Sequence, residues 1–317
     1  MHYWKGLDSV PTDMAPAVVT IGNFDGVHLG HCEVLDSAVS HAKRRSAKSV
    51  AITFDPHPAQ VHRPDSAPEL IMGLEDRIDT LASVGLDATL MINYTLEFAE
   101  QSAEEFVHSI IVEKLNAVAV VVGHDVRFGH GNSGDFDFMR ELGAKYGFDV
   151  IGVEDVGDKR RLSSTWVREE LAAGNVEAAA AILGRPHRMR GEVVHGAARG
   201  RELGFPTANL APEAAGIIPA DGVYAGWVID EAEVRWPAAI SVGSNPTFDG
   251  VARVVEAHVI DRPVEGYEEF DLYGQQIVVE FISHLRPMVA YRGIEALIEQ
   301  MNEDVVQARS VLATESH

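Results

Sequence analysis

The chain has 317 residues, about two domains' worth at ~150 residues each, and its 46% hydrophobic and 23% charged residues exclude disorder as the starting point. Lys and Arg number 26 against 48 Asp and Glu, a net charge of −22, which argues against a protein that coats nucleic acid or an anionic membrane. A local pocket can still hold a small phosphate ligand.

The first half alternates apolar runs with amphipathic stretches. Ala17–Ile21, Ser49–Phe54, Ala88–Ile92 and Ala117–Val122 read as buried strands, with Asp149–Val153 as a fifth. Between them the spacing predicts helices over roughly Cys32–Arg45, Leu74–Val84, Ala103–Leu115 and Phe136–Tyr146. Strict alternation implies right-handed crossovers and an open, mostly parallel α/β sheet of the Rossmann-like, nucleotide-binding kind, with ligands beyond the carboxyl ends of the strands. Two more helices follow, Thr165–Ala173 and Val176–Leu183, before Gly184-Arg185-Pro186 breaks the pattern. From Met189 the strands Arg190–His195, Gly222–Ile229, Pro237–Val242, Arg253–Asp261 and Gln275–Phe281 are separated by turns without helices, the mark of an antiparallel β-barrel or sandwich. A helix with Ile294, Leu297, Ile298, Met301 and Val305 on one face follows. The domain boundary is expected near Arg185–Arg188, giving domains 1–186 and 187–317.

A single cysteine, Cys32, closes no internal disulfide. Met1–Gly6 lacks the apolar core of a leader, and no apolar run approaches the ~20 residues of a spanning helix. The expectation is a cytoplasmic protein with no membrane or nucleic-acid partner; a homo-oligomer is left open.

The strand Val18–Ile21 runs into Gly22-Asn23-Phe24-Asp25-Gly26-Val27-His28-Leu29-Gly30-His31 and then a helix. Glycines allow close backbone approach, a helix start presents N–H groups to an anion, and His28 and His31, three apart, share a face on a first helical turn. A bare His-x-x-His is equally a surface pair, and zinc lacks a third ligand nearby. The ten-residue string, however, resembles the His-x-Gly-His nucleotidylyltransferases, in the longer form of their FAD synthetase branch. Thr53-Phe54-Asp55-Pro56-His57-Pro58 closes the second strand. Gly123-His124-Asp125-Val126-Arg127-Phe128-Gly129 resembles that family's flavin and nucleotide loop, with Val126 where an aromatic is usual. Leu162-Ser163-Ser164-Thr165-Trp166-Val167-Arg168 caps a helix and is similar to the family's Ser-Thr-x-x-Arg element. The resemblance implies ATP and phosphate contacts from Gly22, Phe24, Gly26, His57, Ser164 and Thr165. It implies flavin contacts from Asp125, Arg127 and Phe128, and catalysis by His28, His31 and Arg168, with Arg168 on the departing pyrophosphate.

In the second half, Gly191–Gly196 leads to Arg199-Gly200-Arg201-Glu202-Leu203-Gly204-Phe205-Pro206-Thr207-Ala208-Asn209-Leu210. The glycines suit a loop around polyphosphate, and Thr207 and Asn209 alternate, so an extended segment turns both oxygens to one face as ligands that Mg²⁺ accepts. Alone, Thr and Asn beside a proline are ordinary turn chemistry. Glu256 lies in the strand Val254–Val259, where burial of a carboxylate is costly without a partner, although strand alternation also allows it to face solvent.

Gly-x-x-Leu-Gly-Phe-Pro-Thr-Ala-Asn-Leu is similar to the riboflavin kinase motif, and Gly222–Ala225, Ser241–Phe248, Val255–His258, Asp271–Gly274 and Leu285–Pro287 follow that family in order. By this resemblance Gly200 and Gly204 wrap ATP, Thr207 and Asn209 hold Mg²⁺, and Glu256 is the base. The whole chain is thus identified as resembling the bacterial bifunctional riboflavin kinase/FMN adenylyltransferase family. That implies riboflavin, FMN, FAD and ATP as substrates or products. Two rivals remain at this point: a transferase for a different phosphorylated acceptor, and a flavin or nucleotide carrier without turnover.

Overall fold

A computed structural model describes residues 1–196, 204–247, 250–261, 272–289 and 293–315. Its chain divides into two compact units, Met1–Glu69 with Leu74–Ser163, and Leu70–Gly73 with Ser164–His317.

In the first unit six strands, β1 (His2–Lys5), β2 (Ala17–Ile21), β3 (Lys48–Asp55), β4 (Ala88–Asn93), β5 (Ala117–Gly123) and β6 (Asp149–Val153), form one sheet in the order β1-β4-β3-β2-β5-β6. Every pairing is parallel. The five strands read from the sequence are present; β1 was not among them, and its HYWK sequence sits at the edge with mostly exposed residues. Successive crossovers run outward from β2 through β3 to β4, then jump back to β5, so the order reverses between β2 and β5. That switch point is where an open sheet of this kind leaves a crevice.

Both faces of the sheet are covered, as alternation along β2 and β5 requires. Val18, Ala119 and Val121 pack on Ala38 and Ala42 of α1 (Leu29–Arg45), while Val19, Val120 and Val122 join Phe106, Ile110 and Leu142 on the other face. Short helices α2 (Pro58–His62), α3 (Leu74–Ser83), α4 (Leu96–Ala99) and α5 (Ala103–Phe106) follow in turn, and α6 (Phe136–Tyr146) starts at an Asp135 cap and stops at left-handed Gly147. The helix expected over Ala103–Leu115 is α-helical only to Phe106; Val107–Lys114 widens into a π-helix that buries Val107, Ile110 and Ile111 together.

The second unit opens with α7 (Ser164–Ala172) and α8 (Val176–Leu183). A closed barrel follows, with β7 (His187–Val194), β8 (Ala208–Leu210), β9 (Gly222–Ile229), β10 (Arg235–Thr247), β11 (Gly250–Val259) and β12 (Gln276–Arg286) in the order β10-β11-β8-β7-β12-β9. Its pairings are antiparallel. The fold is therefore the expected one, an α/β sheet followed by an antiparallel barrel with a terminal helix. Strand limits differ from the sequence reading, most at β10 and β12, which run on to Thr247 and Arg286 beyond the expected ends at Val242 and Phe281. Helix α9 (Ile294–Glu315) lays Ala308 and Leu312 on Ala225, Ile260 and Ile282.

Candidate functional site

At the β2/β5 switch point a cavity of about 380 Å³ is lined from four strand ends: Ile21–Phe24 after β2, Phe54 on β3, Gly123 and Asp125–Arg127 after β5, and Val153–Val156 after β6. The start of α1 adds His28, Gly30 and His31, and Arg161–Ser163 complete the wall.

The two histidines do not simply share a helix face. His28 is the cap of α1, its backbone extended and its Nδ1 accepting the backbone N–H of His31 at 3.2 Å. The rings stack with centroids 3.6 Å apart. Because Nδ1 accepts, the proton of a neutral His28 ring sits on Nε2, where it is a donor. Gly30 lies close against the His28 ring: a Cβ there would stand 3.1 Å from His28 Nδ1. Phe24, at φ 48° and 2% exposed, sets its ring edge-on to His31 at 5.3 Å. Gly22 leaves it room, since a Cβ there would meet the Phe24 ring at 2.9 Å. Phe24 therefore supports His31 with its side chain and can offer a phosphate only its backbone. Gly26 provides the left-handed turn at φ 83°.

Asp125 and Arg127 reach the cavity wall, as does Val126. Phe128 does not: it is 6% exposed and packs in the core against Phe106. Nor does His57 line the cavity; its Nδ1 accepts from Ala59 N at 3.1 Å as the cap of α2. Ser164, Thr165 and Arg168 lie on α7, in the second unit.

Sequence reading missed Arg161, which holds Asp125 at 2.5 Å and Asp155 at 3.0 Å. All three side chains are about half exposed, so the pairs are worth ~1 kcal/mol or less and Arg161 can exchange a carboxylate for a phosphate at little cost. The adjacent Arg160-Arg161, two basic residues in an acidic chain just before the Ser-Thr element, was the available signal.

In the barrel, Glu256 stands in register with Asn209 on one side and Ser241 on the other. Their neighbours Ala208, Leu210, Val255, Ala257, Ile240 and Val242 fill the interior, so this polar row faces outward. The carboxylate is half-buried on the outer face, not sunk in an apolar interior, and the cost-of-burial argument for it falls away. What ties Glu256 to the Pro-Thr-Ala-Asn segment is pairing. His258, two residues along the same strand, sets its Nδ1 2.9 Å from Pro206 O, and Asn209 Nδ2 donates to Thr207 O and Oγ1, both at 3.2 Å. Thr207 and Asn209 are thus tied to each other beside the Glu256 register position, and their hydroxyl and amide oxygens are of the hard kind that Mg²⁺ accepts. Gly204 is exposed at φ 89°. Gly200, Phe248 and Asp271 lie outside the described residues.

Two family models match in tandem: FAD synthetase over residues 10–166 and riboflavin kinase over residues 183–312. A bifunctional riboflavin kinase/FMN adenylyltransferase of Escherichia coli (strain K12) is 34% identical, aligned over 92% of this chain and 91% of its own. This chain belongs to the bifunctional riboflavin kinase/FMN adenylyltransferase family. The relative of that name from Pseudomonas fluorescens is 35% identical with 100% of both chains aligned, and that from Haemophilus influenzae 31% identical over 98% and 99%. A crystal structure described as a macrolide-efflux protein from Streptococcus pneumoniae superposes with a TM-score of 0.86 at 30% identity, covering 98% of this chain and 99% of that one. The efflux description and the family's activity disagree. The superposition speaks to fold, and family membership rests on sequence matched in both halves. Among the described residues no helix is long and apolar enough to cross a membrane.

Proposed function

We infer that this member of the riboflavin kinase/FMN adenylyltransferase family builds FAD in two ATP-dependent transfers, one in each half of the chain. The observation that carries the reading is the tandem match of FAD synthetase and riboflavin kinase models in one chain, with a stacked histidine pair in the cavity of the first.

In the barrel, the ribityl hydroxyl of riboflavin attacks the γ-phosphorus of ATP while Glu256 takes its proton, giving FMN and ADP. Thr207 and Asn209 would hold Mg²⁺, which supplies neutralising charge at the nucleotide's phosphates. Gly200 and Gly204 belong to the loop around those phosphates. In the first half, the FMN phosphate attacks the α-phosphorus of a second ATP and pyrophosphate departs. The attacking oxygen is already anionic, so no strong base is required. His28 donates through Nε2–H, with His31 beside it, to the oxygens that gain charge. The backbone of Gly22–Gly26 approaches the nucleotide, and Asp125 and Arg127 the flavin. Ser164, Thr165 and Arg168 serve the pyrophosphate. His57 and Phe128 act at one remove, by holding the loops that carry them. Use of ATP and a single cysteine are in keeping with a cytoplasmic enzyme.

The test is to incubate the purified chain with riboflavin, ATP and Mg²⁺ and resolve the flavins over time. FMN appearing first and FAD after it is the expected result. Conversion that stops at FMN would mean that the first half serves another acceptor, and bound flavin without conversion would indicate a carrier.

A further inference from the structure

Helix α3 buries two charged side chains, Asp76 and Arg77, beside Leu81. Arg77 is 3% exposed and shares its buried face with Leu81, one turn on. Burying a guanidinium is costly, and a methionine or leucine would fill such a position without that cost. The charge is instead spent on two backbone segments at the cavity. Arg77 Nη1 donates to Asn23 O at 3.1 Å, and the Asp55 carboxylate lies 3.6 Å from Nη2. Thr53 Oγ1, fully buried on β3, donates to the same Asn23 carbonyl at 3.0 Å. One peptide oxygen is therefore fixed by two buried donors, one of them charged. That peptide joins Asn23, which lines the cavity, to Phe24, whose ring bears on His31, which in turn stacks on His28.

We propose that Arg77 is a positioning residue for adenylyl transfer: it fixes the Asn23–Phe24 peptide and, through Phe24, the orientation of the His31–His28 stack toward the nucleotide's phosphates. Arg77 acts through Asn23 and does not itself touch substrate. The inference rests on the reading of this cavity as the FMN adenylyltransferase site. The Asp55 contact ties the same guanidinium to the end of β3, so the loops after β2 and β3 are held at one spacing. A lysine, with a single ammonium on a longer flexible stem, reaches the carbonyl or the carboxylate but does not hold both in a fixed fork.

The experiment compares wild type, Arg77→Lys and Arg77→Met as full chains, each assayed for riboflavin phosphorylation and for FAD formation from supplied FMN, below the variant's measured melting temperature. Misplacement of reacting groups costs up to about 100-fold. Arg77→Met is expected to lower kcat for FAD formation about 10- to 100-fold with little change in KM for ATP or FMN, Arg77→Lys to fall between, and riboflavin phosphorylation to match wild type in both. Wild-type kcat in Arg77→Met would overturn the proposal. So would a loss that disappears on cooling, or an equal loss of both activities, since either describes a residue that only holds the fold. Wild type that forms no FAD from FMN would instead overturn the assignment of the cavity, and with it this role for Arg77; that control is read first.

Discussion

His28 receives the backbone N–H of His31 at 3.2 Å and stacks its ring on that of His31 at 3.6 Å, so one imidazole both starts α1 and faces the cavity. Cap and chemistry are separable by substitution. Asn is a good N-cap, whereas Ala forfeits the cap at about 1 kcal/mol. Both His28→Asn and His28→Ala should reduce FAD formation from FMN by about 10²–10³-fold through loss of the Nε2 donor. Only His28→Ala should also lower the melting temperature. Equal activity in His28→Asn and wild type would reduce His28 to a cap.

Gly30 packs against that stack. An added Cβ would lie 3.1 Å from His28 Nδ1 and 3.2 Å from Cε1, inside ordinary contact, so the ring must give way by a few tenths of an ångström. Gly30 is in the helix, where alanine is the better residue by about 1 kcal/mol. Gly30→Ala should therefore leave the melting temperature unchanged or higher while FAD formation falls by about 10-fold or more, as small displacements of catalytic groups do. Thermal unfolding and the FMN-to-FAD rate, measured on one preparation, check both halves of this expectation.

Glu256 shares its row with Asn209 and Ser241 on the outer face of the barrel, where glutamine fits in the same space. Glu256→Gln should cost riboflavin phosphorylation about 10²–10⁴-fold, the range for removal of a general base, and leave FAD formation from supplied FMN intact. Loss of FAD formation as well would break the assignment of one activity to each half.

How much of this was legible in the sequence depended on whether a residue obeyed or broke its local pattern. The helices expected over Phe136–Tyr146 and Val176–Leu183 are observed with those limits, each ended by a left-handed glycine, Gly147 and Gly184. Strand β1 escaped because His2-Tyr3-Trp4-Lys5 has no apolar run; it gains its place by pairing with β4 at the sheet's edge. The caps of α1 and α2 were hidden because histidine is not among the favoured N-cap residues, so His28 and His57 read as ligands for phosphate and not as acceptors for backbone N–H groups. Phe128 was expected among the flavin contacts only through the resemblance of its loop, but a side chain two positions from Val126 is free to turn into the core, and it does. Arg77 had a signal that went unread: Leu74, Arg77, Leu81 and Val84 repeat at helical spacing, and a charge in an apolar stripe marks a buried partner.

Arg286 and Asp304 hold α9 on the barrel through two parallel contacts, Nε to Oδ1 at 2.7 Å and Nη2 to Oδ2 at 2.6 Å, with the Asp304 side chain 6% exposed. Removing one charge leaves the other poorly solvated, which typically costs about 3 kcal/mol or more. Asp304→Asn should show this as a lower denaturant midpoint for unfolding of the second half. Riboflavin phosphorylation should persist where the variant is folded, because neither residue is in the Asn209–Glu256 row.

Tyr224 gives the barrel a stability term at alkaline pH. Its hydroxyl donates to Ala220 O at 2.5 Å, and burial first, with the carboxylates of Asp221 and Glu177 adding to it against the opposing Arg253, pushes its pKa up to about 12. An unfolded tyrosine ionises near 10. Below pH 10 the phenol is neutral in both states and contributes nothing to pH dependence. Between 10 and 12 the unfolded chain loses this proton and the folded chain keeps it, so stability falls as pH rises, by roughly 3 kcal/mol at most. Tyr224→Phe removes both the hydrogen bond and the titration. The variant should be less stable than wild type by about 1 kcal/mol at neutral pH, from the lost hydrogen bond. The gap should close or invert by pH 12, read from denaturant unfolding of the two proteins across that range. A gap that stays constant from neutral pH to 12 would mean that the folded and unfolded phenols ionise alike.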